Sequence, residues 1–133
     1  MRLGDVRFVF RHLPVGGAAS VRAAQAAECA HEQDRFWEYV EALFQFEVGE
    51  GQGTFTDATL LGYARSLELN AASFSSCLQS GRYDETILRD TRDAEALGVR
   101  AVPTLFINGQ RFDGLYPYEE YVRVIEEQLA ASR

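Results

Sequence analysis

Few side chains in this sequence are of types that carry chemistry, and the two cysteines come first. Cys29 and Cys77 lie 48 positions apart, which excludes a Cys-x-x-Cys redox or zinc pair between them. Two readings stay open. They can be two small buried hydrophobes, since free cysteine is among the most buried residue types, or they can form a structural disulfide between two helices. Such a bond would close a loop worth at most about 4 kcal/mol in the chain-entropy model. A reactive thiolate needs a helix N-terminus or a cationic neighbour, and the sequence places neither beside either cysteine. His12 and His31 are the only histidines, and both read as surface or capping residues. Cys29 and His31 are two apart on a predicted helix and so point in opposite directions, which disfavours a metal site. No metal or cofactor site is expected, and no Ser/His/Asp spacing, glycine-rich phosphate loop or suggestive carboxylate pair is present. The carboxylates read as solvated helix faces.

The most informative stretch is "GVRAVPTLFINGQRF", residues 98–112. Pro103 has no N–H and belongs at the first residue of a strand, where Thr104-Leu105-Phe106-Ile107 follow as strand formers. Asn108-Gly109 accommodates positive φ at both turn positions, so Gln110-Arg111-Phe112 folds back antiparallel.

Around these residues the elements follow in order. Val6-Arg7-Phe8-Val9-Phe10-Arg11 reads as a strand buried on both faces and ended by Pro14 and Gly16-Gly17. The alanine-rich run from about Ala18 to Gln33 favours helix. Asp34 is placed to cap a second helix whose core face carries Phe36, Val40, Leu43 and Phe44, with Trp37 beside them. Gly49, Gly51 and Gly53 predict a loop, after which Thr56 and Asn70 each cap a short helix. The first carries Leu60, Leu61, Ala64 and Leu67 inward. The second carries Phe74, Cys77 and Leu78, with Gly81 as its left-handed stop. Tyr83, Ile87, Ala94 and Leu97 mark a longer helix stopped by Gly98. Pro117 opens a last helix striped by Tyr118, Val122, Ile125 and Leu129.

The totals bound the function. The 133 residues, 47% of them hydrophobic, suit one domain, and 13 basic against 20 acidic residues give a net charge of −7. Nucleic acid and anionic lipid are therefore disfavoured partners. No apolar run reaches the roughly 18 residues of a membrane span, and the first residues lack the apolar core of a signal peptide.

Four stretches together resemble the DsbA-like branch of the thioredoxin superfamily, the thiol-disulfide oxidoreductases: "VRFVFRHLPV", "AAECAHEQDRFWEYVEALF", "FSSCLQSGRYDETILRDTRDAEALGVRAVPTLFINGQRFDG" and the closing helix. The resemblance implies an α/β thioredoxin-like fold, a single domain over 1–133 with a helical insertion at about 18–97. It implies a cis peptide bond before Pro103, and Val102 as the residue whose backbone receives an extended protein or peptide substrate by β-augmentation. It implies an extracytoplasmic setting and no cofactor.

One departure shapes the expectation. In the family a strand leading into a Cys-x-x-Cys precedes the counterpart of "VRFVFR", and here five residues stand before it. Exchange requires a thiolate, so no catalytic residue is assigned and this polypeptide is expected to be inactive by itself. A fragment or misassigned start of an oxidoreductase, a truncated paralogue, and a redox-inert peptide-binding or interaction module are the competing accounts, the first being preferred. The absent strand would lie in the middle of the sheet, which predicts a homo-oligomer that covers the open edges, with closure of the two flanking strands onto each other as the runner-up.

Overall fold

The structure, a computed structural model, describes residues 4–49 and 55–133. Along the chain come α1 (Ala18–His31), α2 (Phe36–Gly49), α3 (Asp57–Ser66), α4 (Ala71–Ser80), α5 (Asp84–Ala96), β1 (Thr104–Ile107), β2 (Gln110–Asp113) and α6 (Tyr118–Ala131). The chain divides into two compact units, a helical one over His12–Asp93 and a sheet unit made of Met1–Arg11 and Ala94–Arg133.

In the helical unit α1 is the central element and packs against α2, α3 and α4. Its alanine content explains this, because Ala23, Ala26, Ala27 and Ala30 are buried and their small side chains let three neighbours approach one helix. Local signals end the helices as the sequence reading expects. Thr56 accepts a hydrogen bond from the Thr59 N–H and Asn70 one from the Ser73 N–H, at 3.2 and 2.9 Å. Gly81 closes α4 in the left-handed conformation, with φ of 68°.

The expectations for α2 need correction. Asp34 does not cap it: with φ of 59° it sits in a left-handed turn that ends α1, its N–H bonded to the His31 carbonyl. Asp tolerates this conformation better than most residues. The buried face of α2 centres on Tyr39 and Val40, while Trp37 is 50% and Phe44 57% exposed. Tyr39 is drawn inward by partners that no helical period reveals: its hydroxyl donates to the Leu60 carbonyl at 2.8 Å and its ring lies 5.5 Å from that of Phe74. The loop expected around Gly49, Gly51 and Gly53 does not include Gly49, since α2 continues to that residue, and residues 50–54 lie outside the described residues.

The sheet unit is organised by the antiparallel pair β1 and β2, with Leu105 opposite Phe112 and Ile107 opposite Gln110. Asn108 and Gly109 make the turn, both with positive φ, 48° and 87°. Against α6, Asn108 donates to Gln128, and Phe112, Tyr116 and Tyr121 form an aromatic cluster. Tyr118, expected on the inner stripe of α6, is instead 76% exposed, and Val124 is the residue of that helix most deeply buried. Residues 6–11 do not form the doubly buried strand expected of them. They belong to no ladder, and Val6, Phe8 and Val9 are 44–65% exposed. Strand propensity is realised only beside a hydrogen-bonding neighbour, and among the described residues β1 and β2 pair only with each other.

Candidate functional site

The segment between α5 and β1 is the candidate site. Helix α5 ends in a turn in which the Gly98 and Val99 N–H groups return to the Glu95 and Ala94 carbonyls, both at 2.9 Å, with Gly98 at φ 71°. Val99 is buried, and Arg100, Ala101, Val102 and Pro103 then run along the surface. The Val102–Pro103 peptide bond is cis. Two bonds hold the far end of the loop: the Gly114 N–H donates to the Pro103 carbonyl at 2.9 Å, and the Thr104 hydroxyl to the Ala101 carbonyl at 2.8 Å. Val102 is different. The residue is 52% exposed, and neither its N–H nor its C=O meets a partner among the described residues. An exposed backbone with both groups open is what an added strand requires.

Arg111 is a residue of this region that motif reading passed over. From β2 it donates to the Leu97 and Gly98 carbonyls and to Asp113. Nothing in the local sequence marks its two carbonyl contacts, since those partners lie 13 and 14 positions away.

The two cysteines are joined: Cys29 on α1 and Cys77 on α4 form a disulfide, with Cα atoms 5.7 Å apart and both side chains buried. It lies among core residues of the helical unit. Nearby, Arg22 holds Asp57 through two bonds of 2.7 and 2.8 Å and donates to the Leu78 carbonyl, so one guanidinium ties α1 to the start of α3 and the end of α4. The bond to Arg22 holds the Asp57 carboxyl below its ordinary range. Tyr83 donates to Glu32, and burial, reinforced by that carboxylate, pushes its phenol up to about 12. Burial, reinforced by the neighbouring Tyr63, drives the Tyr39 phenol well above the usual range.

His12 departs from the surface or capping role expected of it. It is 5% exposed, its backbone N–H donates to Asp90 at 2.9 Å and its Nε2 pairs with Glu28 at 2.7 Å. The 78 residues between His12 and Asp90 hide this pairing from any motif search. His31 is exposed, its ring edge-on to Phe36. Among the described residues no three metal-ligating side chains converge.

A family model described as thioredoxin matches residues 1–127. The chain is 36% identical over 132 residues to a Na(+)/H(+) antiporter, NhaA 1, of Salinispora arenicola, covering 97% of this chain and 19% of that one. It is 26% identical over 129 residues to disulfide bond formation protein D of Bacillus subtilis, covering 95% and 58%. This chain thus spans about a fifth of the antiporter and somewhat over half of the second relative. Among solved structures, the thiol-disulfide exchange protein alpha-DsbA2 of Wolbachia pipientis superposes with a TM-score of 0.80 at 20% identity, over 90% of this chain and 64% of that one. With the strand-opening proline, the hairpin after it and the helical unit before it all in place, the chain belongs to the thioredoxin family and has the DsbA-like form of its fold.

Proposed function

We propose that these 133 residues are the peptide-receiving and helical part of a DsbA-like thiol-disulfide oxidoreductase, forming one domain in which Val102 and Pro103 accept an extended segment of a protein substrate. The observation that carries this reading is that Val102, exposed beside Pro103 just before β1, has neither its N–H nor its C=O paired among the described residues. The likeness to a disulfide bond formation protein and to a thiol-disulfide exchange protein supports it. The reactive cysteine pair of such an enzyme is not among these residues, because both cysteines present are consumed in a buried disulfide. The antiporter likeness gives transport little support here, since no described helix is long and apolar enough to cross a membrane.

The test is an amide-resolved titration of the chain with an extended peptide, paired with an insulin-reduction assay. Binding should shift the amides of Ala101, Val102 and Thr104 first, and turnover should not exceed that of a Cys29→Ala/Cys77→Ala control. Shifts confined to other surfaces would overturn the peptide site. Turnover lost with Cys29 would return that thiol to the chemistry.

Self-association is part of the same proposal. Among the described residues one edge of β1 has no ladder partner, and exposed strand edges beside apolar side chains invite another chain. Light scattering at micromolar concentration should report a dimer or larger species, and a strictly monomeric, cooperatively unfolding chain would remove this element.

A further inference from the structure

We infer that Arg111 is a positioning residue for the peptide-receiving loop, an inference that rests on the reading just given. The loop over residues 99–103 has two ends. At β1 it is held by the Gly114–Pro103 and Thr104–Ala101 bonds. At α5 its direction is set by the left-handed turn at Gly98, and the two carbonyls of that turn are the ones Arg111 engages. Its Nη1 donates to the Leu97 carbonyl at 2.7 Å and its Nη2 to the Gly98 carbonyl at 3.0 Å, while Nε donates to Asp113 at 2.8 Å. The planar fork of a guanidinium suits this, because its two terminal nitrogens reach two successive carbonyls without bending the group.

The fork is anchored on the hairpin. Arg111 stands directly opposite Phe106 in the β1–β2 register, and its guanidinium lies 5.9 Å from the centre of the Phe106 ring. Asp113, two residues on along β2, fixes the third nitrogen. The hairpin therefore holds the turn from which residues 99–103 depart, and Val102 is presented from a frame tied at both ends. Binding an extended peptide costs less when the receiving backbone is already ordered, so the clamp acts on peptide affinity without touching the peptide. Glycine at position 98 gives the turn its backbone conformation, but it supplies no partner for the two carbonyls.

The experiment uses the full chain, labelled for amide-resolved spectroscopy, and as probe an acetylated and amidated seven-residue peptide of alternating valine and threonine. Arg111→Gln should weaken binding about tenfold, the weight of one charge-assisted hydrogen bond, while the Phe112 amide stays protected. Arg111→Lys, a point charge able to hold one carbonyl, should fall between that variant and the parent. Arg123→Gln, which removes only the exposed pairs with Glu120 and Glu127, should bind as the parent does. Equal affinity for Arg111→Gln and the parent would overturn the inference, and so would full binding by Arg111→Lys or weakening accompanied by equal loss of protection throughout the hairpin. Should Arg111→Gln fail to fold, the Lys variant carries the comparison.

A second readout separates this inference from the reading beneath it. Without peptide, Arg111→Gln should speed hydrogen exchange at the Gly98 and Val99 amides about tenfold relative to Phe112. If the parent binds no peptide yet this exchange changes, the peptide site fails and Arg111 keeps its role as the clamp of the turn. If the exchange does not change, the clamp itself is refuted.

Discussion

The helical and sheet units differ in where they keep their apolar side chains and their charge. Of the buried apolar residues described, all but Val99, Phe112 and Val124 belong to the helical unit, which also holds the disulfide and the Arg22 clasp. Exposed large hydrophobics are concentrated in the other unit, where Leu115 is 86%, Tyr118 76% and Phe8 65% exposed. Charge divides the same way. Six arginines against thirteen carboxylates in the helical unit account for the whole net charge of −7, whereas the sheet unit balances seven against seven. The lesson is a separation of tasks. One unit carries its stability within its own residues, and the other, built on a single short hairpin of a kind only marginally stable alone, has no net charge and leaves more of its large apolar side chains exposed.

The largest effects are expected in the helical core. Phe74→Ala should cost about 3–5 kcal/mol, because the ring is fully buried against Tyr39 and its removal leaves a cavity. Denaturant unfolding followed by the single tryptophan, Trp37, reads this unit directly. Replacing both cysteines by alanine should cost at most about 4 kcal/mol for the 48-residue loop, with the shift matched by reducing the parent with dithiothreitol. An unchanged midpoint would mean that the staple is redundant with the Arg22 clasp.

Smaller effects sharpen the contrast. Asn70→Ala removes the cap of α4 and should cost about 1 kcal/mol by the same unfolding measurement. The Asp57 carboxyl is held below its unfolded value by Arg22, so its contribution is present above the ordinary carboxylate range near pH 4 and is lost as pH falls through the lowered value. Acid titration of stability should therefore flatten in Asp57→Asn, and the difference should shrink in high salt because the pair is exposed. On the sheet unit, Leu115→Ser should change stability by no more than about 0.5 kcal/mol, while reducing association seen by light scattering. A large loss of stability there would place a core where the comparison finds none.

The features legible in the residue order are those whose partners lie within a few residues. Thr56 and Asn70 bond three positions ahead, Gly81 and Gly98 take up left-handed turns of their own, and Asn108-Gly109 bends the hairpin through its own dihedrals. The strand-opening place of Pro103 is equally local, following from its missing N–H. Tertiary structure alone decided the rest. Whether Tyr39 or Phe44 faces inward depends on Leu60 and Phe74, the two cysteines meet only when α4 packs on α1, and His12 and Arg111 find partners 78 and 13 residues away. Residues 6–11 show the limit most plainly. Their composition is that of a strand, but a strand is a relation between two backbones, and residue types encode the willingness to pair without supplying the neighbour.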